Sequence, residues 1–339
     1  MNFEEVSRFV QGHFTDGLTM VIGSGLSAAE GLSGMVSLAN HLQAKSESLD
    51  ETEKACWAQI SIALDEGKGL ESALIEFPPS EVLESWIMSE TVAHLLPQER
   101  EALSSTVNGL KTLKLTSLLR RVLVTNNSLP IITTNYDRLV EMACEMAGLH
   151  VDTTTLGSFA GEFDHQKSCM SSCIAIKRAG RTYVLEHRKR AVVLKPHGSF
   201  DWYRIGDSDR CCSIEIDADR LIITPGLNKY RAGYNSPFDR QRELANSHID
   251  KANRLLVVGY GFNDDHLQTH LLHKIRSGTP TLIATRTKNP AIEEVVSSGA
   301  NCICLSKDDE GTTVSTASGE FAISKSIWDI ADLAEECLK

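Results

Sequence analysis

The sequence predicts an α/β protein: a Rossmann-like, doubly wound parallel sheet with a helical insertion and a smaller irregular module. Three observations predict it. At least six short apolar runs each end at a glycine or a polar residue, most are followed by helical sequence, and the unusual residues lie at the run ends. Strands buried on both faces are typically continuous apolar runs, and alternation of strand and helix favours a parallel sheet.

Length and charge limit the classes of protein to consider. The chain has 339 residues, 42% of them hydrophobic, which suits one large domain with insertions. We expect a single domain over 1–339. With 34 Lys and Arg against 45 Asp and Glu, the net charge is −11, so direct nucleic-acid binding is not expected.

Location and membrane contact follow from other features of the sequence. No apolar stretch approaches the ~20 residues that span a bilayer, so we expect no membrane partner. The N-terminus is acidic where a signal peptide is basic. Nine sparse cysteines suggest reduced thiols rather than a disulfide framework, and we therefore expect a cytoplasmic protein.

The elements are predicted in chain order from periodicity and breakers. A first amphipathic helix covers 1–16, and the block 36–120 is a helical insertion with segments at 51–65, 80–96 and 98–120. Smaller inserted segments cover 155–190 and 205–250, and a C-terminal helix covers 325–338. The strands are predicted at 18–22, 129–134, 191–195, 221–224, 254–259, 281–285 and 301–305.

Small residues follow the first strand in the pattern Gly23-x-Gly25-x-Ser27. Glycines at this place let a backbone approach a pyrophosphate, whose charge is favoured at a helix N-terminus. An ordinary tight turn is the alternative. The later pair Gly259 and Gly261 follows the most apolar strand and also permits close approach, whereas Asn263 or Asp264 is expected to cap the next helix.

Two further strand ends carry side chains suited to chemistry. Thr133, Thr134, Asn135 and Asp137 could hold a ribose and a carboxamide, although all are also common helix caps. His197 follows another strand, and histidine is well suited to move protons near neutral pH. A solvated turn histidine is the alternative.

Two patterns could suggest metal binding. His266, His270 and His273 share one helix face, and Cys169-x₃-Cys173 could combine with the adjacent Cys211 and Cys212. Structural zinc sites usually use two tight Cys-x₂₋₄-Cys pairs, which adjacent cysteines do not supply. We therefore expect no metal.

Taken together, four segments resemble the sirtuin superfamily in order and approximate spacing, over roughly 15–310. Their Thr-Thr-Asn-Tyr-Asp and Gly-Tyr-Gly-Phe-Asn-Asp-Asp forms resemble the divergent bacterial branch found in anti-phage defence. The four segments are Gly23-Ser24-Gly25-Leu26-Ser27, Thr133-Thr134-Asn135-Tyr136-Asp137, Lys195-Pro196-His197-Gly198 and Leu256-Val257-Val258-Gly259-Tyr260-Gly261.

The resemblance implies that NAD is the substrate and that nicotinamide is released from it. It implies that Asn135 holds the nicotinamide ribose or a water, Asp137 the carboxamide, and that His197 is a general base. The dinucleotide-binding positions that it implies are Gly23, Ser24, Gly25, Ser27, Thr134, Gly259, Tyr260, Gly261, Asn263 and Arg286, with Arg286 near the adenosine ribose.

The resemblance also implies an NAD glycohydrolase that depletes NAD in anti-phage defence, controlled by homo-oligomerisation or by a HerA-like ATPase partner. Two alternatives stay open: an NAD-dependent protein deacylase and a non-catalytic sensor that binds NAD or ADP-ribose. The chain lacks the deacetylases' arginine after the first glycine loop and their paired zinc knuckles, and Thr134 replaces a glutamine. These departures weaken the expectation of acyl-peptide binding more than that of NAD binding.

Overall fold

The computed structural model describes residues 2–122, 128–226, 236–262, 264–298 and 301–338, and for 265 and 266 only the backbone. Its helices within these ranges are α1 (Phe3–His13), α2 (Ser24–Ala29), α3 (Met35–Lys45), α4 (Glu51–Asp65), α5 (Leu70–Glu76), α6 (Glu81–Val107), α7 (Lys114–Leu119), α8 (Leu139–Met146), α9 (His165–Ser171), α10 (Phe238–Lys251), α11 (Asp265–Arg276), α12 (Pro290–Ser298) and α13 (Ile330–Cys337).

The strands in the same ranges form one large sheet, one smaller sheet and one separate hairpin. They are β1 (Leu18–Ile22), β2 (Ser128–Thr133), β3 (His150–Asp152), β4 (Thr155–Leu156), β5 (Ala160–Phe163), β6 (Cys173–Ala179), β7 (Thr182–His187), β8 (Arg190–Leu194), β9 (Gly198–Ile205), β10 (Ser208–Cys212), β11 (Asp219–Ile222), β12 (Arg254–Val258), β13 (Thr281–Thr285), β14 (Cys302–Asp308), β15 (Gly311–Thr316) and β16 (Gly319–Ile323).

The large sheet confirms the predicted fold class. Among the described residues its order is β3-β8-β2-β1-β12-β13-β14-β15-β16, parallel from β3 to β14 and antiparallel at β15 and β16. The chain moves outward from β1 through β2 to β8, and later outward from β12 on the other side. This reversal between β1 and β12 is the topological switch point at which doubly wound sheets bind ligands.

Two hydrophobic cores lie on opposite faces of the large sheet. On β1, Met20 and Ile22 belong to the core with α1, α7, α8 and α13, whereas Val21 belongs to the core with α10, α11 and α12. The same strand serves both cores because side chains alternate between the faces. Burial on both sides explains the continuous apolar runs in the sequence.

The block between β1 and β2 is helical, as predicted, and α3 to α6 share a core of their own around Trp57, Leu74 and Ile87. Instead of the predicted segments 80–96 and 98–120, one helix continues through Pro97 to Val107, and α7 follows separately. Glu99, beyond the proline, is fully buried and bonded to Arg138, which anchors the second half of α6.

The segments predicted as irregular are more regular than the sequence indicated. The smaller sheet has the order β11-β9-β10-β5-β4 in the described residues, so β5 of one segment pairs with β10 of another. Local periodicity does not report such long-range pairing. Helix α10 packs against the large sheet through Ala245 and Ile249 rather than belonging to a separate segment over 205–250. Helix α13 begins at Ile330, where Asp329 caps it, rather than at 325.

Candidate functional site

Four strands of the large sheet end at one level beside the switch point. Ile22 of β1 is in register with Thr133 of β2 and with Val258 of β12. Backbone bonds continue past the strands: Gly23 N–H donates to the Val258 carbonyl at 2.9 Å, and Gly259 N–H donates to that of Ala284 at 2.9 Å. The segments after β1, β2, β8 and β12 therefore meet at one edge.

A cavity of about 210 Å³ lies at this edge. Nine of the residues predicted from the sequence are among its described lining residues: Gly23, Ser24, Ser27, Thr134, Asn135, Asp137, His197, Tyr260 and Gly261. The helical insertion and the segments before it supply part of the wall through Leu32, Met35, Leu38, Glu71 and Leu95. The structure thus brings together residues that lie as much as 238 positions apart.

The other predicted positions lie elsewhere. Gly25 and Gly259 contact each other instead of lining the cavity: a Cβ on Gly259 would lie 2.6 Å from the Leu26 nitrogen, and its φ is +57°. These glycines permit the loops after β1 and β12 to touch. Arg286 is exposed after β13. Asn263 lies outside the described residues.

Asn135, Ser27 and Asp137 form a buried hydrogen-bonded chain. The Asn135 Nδ2 donates to Ser27 Oγ at 2.8 Å and to the Gly23 carbonyl at 3.0 Å. Ser27 Oγ donates in turn to Asp137 Oδ2 at 2.6 Å. Because both amide hydrogens of Asn135 are used, its Oδ1 is the atom left to accept a hydrogen bond from a ligand.

Asp137 sits in a buried cluster of charges. Its Oδ1 accepts the Leu139 N–H at 3.1 Å, at the first residue of α8, although the N-cap residue of that helix is Arg138 rather than Asp137. Burial raises the pKa of Asp137 above its usual range, although the Lys195 ammonium and the Ser27 hydroxyl oppose the shift.

Lys195 holds the loop that carries Asn135 and Asp137. Its Nζ donates to the Asp137 carbonyl at 2.5 Å and to Glu141 Oε1 at 3.0 Å, and the side chain is 2% exposed. Burial alone would lower the pKa of Lys195, but the carboxylates of Glu141, Asp201 and Asp137 outweigh burial and raise it. In the sequence, Lys195 stands out only as part of the motif before His197, and no role was predicted for it.

His197 is buried against a carboxylate that the sequence analysis assigned to helix capping. Its Nε2 lies 2.5 Å from Oδ2 of Asp264, and both residues line the cavity. The two residues are 8% and 5% exposed. No local signal links positions 197 and 264, since only the sheet topology brings them together.

Tyr136, Phe200 and Glu71 are among the lining residues that were not predicted from the sequence. Tyr136 lies within a predicted motif, and its hydroxyl donates to the Ile223 carbonyl at 2.6 Å. Phe200 packs beside the Tyr136 ring, with centroids 5.8 Å apart. Glu71 belongs to the helical insertion, and the sequence pattern of the insertion does not indicate a ligand-binding residue.

Neither metal interpretation gains a ligand cluster. Within the part of the chain that the structure describes, no group of three or more His, Cys, Asp or Glu is placed to hold a metal ion. Cys211 Sγ instead donates to Asp201, and His270 pairs with Asp250.

Among the residues that the structure describes, no helix is both long and apolar enough to cross a membrane.

Comparison with known proteins supports part of the resemblance. Residues 130–297 match the family model described as SIR2-like domain. This match begins in β2 and ends in α12, so it includes Asn135, His197 and Tyr260 but not the glycine segment after β1. The family model therefore supports the resemblance over 130–297, and the anti-phage branch stays a prediction.

No curated protein sequence matches the chain significantly. Similar solved structures include one described as "Sir2 bound to acetylated peptide", with a TM-score of 0.44 and 13% identity over 99% of this chain and 96% of that one. Another is a Sir2 homolog–NAD complex, with a TM-score of 0.41 and 14% identity over 99% and 95%.

Proposed function

We propose that this chain hydrolyses NAD at the bond between ribose C1′ and nicotinamide, giving nicotinamide and ADP-ribose. One observation carries the proposal: Asn135, Asp137 and His197, which come from two different strand ends, line the same cavity as Gly23 and Ser24. The SIR2-like match over 130–297 supports an NAD-utilising site, because it includes all three candidate catalytic residues.

The charge of the cavity supports a cationic ligand group. Among its described lining residues the acidic side chains are Glu71, Asp137 and Asp264, and none is Lys or Arg. The pyridinium ring of NAD and the oxocarbenium-like transition state of its cleavage are both cationic. Glu71 and Asp137 would stabilise such charge most strongly where water is excluded, whereas the Asp264 carboxylate faces His197.

The proposed step needs one water and one base. The C1′–N bond breaks with its electron pair moving to nicotinamide, a C1′–O bond forms to water, and His197 takes the proton that the water loses. Asn135 would hold the ribose or this water through Oδ1, the atom that its two buried hydrogen bonds leave available. Asp137 would hold the carboxamide.

The remaining binding positions follow from the same orientation. Gly23 and Ser24 at the start of α2 would face the pyrophosphate, with Ser27 and Thr134 beside the ribose. Tyr260 and Gly261 would continue along the dinucleotide, and Asn263, which lies outside the described residues, stays a contact predicted from the sequence. The exposed Arg286 is our proposal for the adenosine ribose.

The test is to incubate the purified chain with NAD and follow nicotinamide and ADP-ribose over time, with and without an acyl-peptide. We expect release of both products without peptide. Dependence on the peptide would support the deacylase alternative, and intact NAD on a protein that binds it would support the sensor alternative.

Two variants test the proposed roles of Asn135 and His197, and each has a control variant in which an exposed residue of the same type is changed. Asn135→Ala and His197→Ala should each lower turnover by at least ~10²-fold, the lower end of what one positioned hydrogen-bonding group or one proton-transfer group supplies. The exposed Asn108→Ala and His273→Ala should leave turnover unchanged. Wild-type turnover in Asn135→Ala or His197→Ala would remove that residue from the mechanism.

We also propose a role in anti-phage defence in the cytoplasm, with activity controlled by self-association or by a HerA-like ATPase. The resemblance suggests both forms of control. Self-association has support from the β6–β7 hairpin, which exposes Ile176 at 64% and Tyr183 at 73%. An isolated apolar hairpin is marginally stable in water and gains from a partner. Light scattering after size-exclusion chromatography tests this: a monomer at micromolar concentration would contradict it.

A further inference from the structure

His197 is fixed at its backbone, so the orientation of its ring depends on the side-chain contacts. The Ile223 N–H donates to the His197 carbonyl at 2.9 Å, and the Gly198 N–H donates to the Lys195 carbonyl at 3.0 Å. Rotation of the imidazole is the freedom that remains. Asp264 restricts this rotation through the 2.5 Å contact between Oδ2 and Nε2.

The turn after β12 is built so that Asp264 reaches the cavity. Phe262 has a φ of +55° and is 1% exposed, an unusual backbone conformation for a bulky residue. Its ring packs against Tyr260 with centroids 5.2 Å apart, and Asn289 Nδ2 donates to the Gly261 carbonyl at 2.8 Å. A strained turn persists only where its surroundings hold it, and such turns cluster at functional sites.

The two ring nitrogens of His197 have different surroundings. Nε2 faces the Asp264 carboxylate, whereas Nδ1 makes no hydrogen bond to any residue that the structure describes. A carboxylate beside one nitrogen favours the tautomer with the proton on that nitrogen. The opposite nitrogen then carries the lone pair that can accept a proton.

We infer that Asp264 is a positioning residue that keeps the proton of neutral His197 on Nε2 and leaves Nδ1 as the proton acceptor in NAD hydrolysis. This inference rests on the proposed function. The other ionisable groups lining the cavity are Glu71, Asp137, Tyr136 and Tyr260. Of these, Asp137 is already bonded to Ser27 and to a backbone N–H.

The tautomer can be measured without any enzymatic activity. Side-chain ¹⁵N spectra of histidine-labelled protein, recorded at about pH 8.5 where imidazole is neutral, report which nitrogen carries the proton. The chain has 11 histidines, so His197→Gln identifies the signals of interest. We expect the wild type to carry the proton on Nε2 and Asp264→Leu to relax to a mixture of tautomers.

The control removes a carboxylate from another histidine. Asp250 lies 2.9 Å from Nδ1 of His270 at the surface, so Asp250→Leu should alter the His270 signals and leave those of His197 unchanged. An unchanged His197 tautomer in Asp264→Leu would overturn the inference. If that variant does not fold, Asp264→Asn provides the same comparison with less change in shape.

Kinetics separates positioning from a structural role. Asp264→Leu should lower kcat at least ~10-fold, but by no more than His197→Ala does, with KM changed less than about 3-fold. Adding Asp264→Leu to His197→Ala should cause little further loss, because Asp264 acts through His197. Asp264→Glu should recover part of the activity.

The two sets of measurements also separate the inference from the proposed function. If the wild type releases no nicotinamide, the proposed function fails while the spectra still decide the tautomer. If the wild type is active but losses in the double variant multiply fully, Asp264 does not act through His197, and the inference is wrong.

Discussion

Replacing Lys195 with methionine tests whether one buried ammonium holds the loop between β2 and α8 in place. The methionine keeps most of the side-chain length and removes the charge. Nζ donates three hydrogen bonds, to the Asp137 carbonyl, to Glu141 Oε1 and, at 3.4 Å, to the Tyr136 carbonyl. A hydrogen bond to a charged group is worth roughly 1.5–3 kcal/mol, and breaking a buried ion pair costs about 3–5 kcal/mol. We therefore expect Lys195→Met to lose about 3–5 kcal/mol of unfolding free energy.

Urea unfolding followed by tryptophan fluorescence measures this loss, and Lys54→Met provides the control. Lys54 pairs with Glu51 at the surface, where such pairs contribute ~0–1 kcal/mol. Combining Lys195→Met with Glu141→Gln should cost less than the two single losses added together, because the second change removes the orphaned carboxylate. A loss below about 1 kcal/mol in Lys195→Met, or full additivity in the double variant, would refute the reasoning.

Three further predictions concern stability and the site. Burial lowers the pKa of His13 to about 4 even though a carbonyl of β12 accepts its Nε2–H, so protonation of the unfolded chain weakens folding as pH falls from 6.5 towards 4. This effect lowers the free energy of unfolding by about 2 kcal/mol at pH 5. His13→Gln should therefore show a smaller difference between its urea midpoints at pH 7 and pH 5 than the wild type does; the same difference in both proteins would contradict this. Gly259→Ala should destabilise more than Gly278→Ala, because both have positive φ but only Gly259 has backbone within 3 Å of an added Cβ; equal urea midpoints would show that contact to be unimportant. Ser27→Ala should cost about 1–3 kcal/mol and lower NAD turnover, whereas the exposed Ser37→Ala should do neither, and an unaffected Ser27→Ala would mean that its two buried hydrogen bonds are dispensable.

The strands of the large sheet could be predicted because their burial leaves a local record. A strand covered on both faces needs apolar residues at successive positions, as in β12 and β13, whose burial is nearly complete. Because the strands are parallel and in register, their carboxyl ends lie along one edge of the sheet. Nine of the predicted site positions therefore line one cavity.

The smaller sheet could not be predicted in the same way. Strands β5 and β10 pair Glu162 with Arg210, 48 residues apart, and their burial alternates weakly. A short half-exposed strand carries little periodicity, and its pairing depends on distant residues. The predicted division into segments 80–96 and 98–120 was wrong for a related reason, since the buried Glu99–Arg138 pair favours continuing the helix.

The sequence by itself determined which residue types lie at the ends of the parallel strands. Strands buried on both faces are continuous apolar runs, and in this chain glycine, asparagine, aspartate and histidine directly follow such runs. Tertiary structure alone decided the partners. It placed Asp264 on His197, Lys195 under the Asp137 loop and Glu71 in the cavity wall. Contacts between side chains dozens of residues apart depend on the order in which strands assemble, and no local pattern records that order.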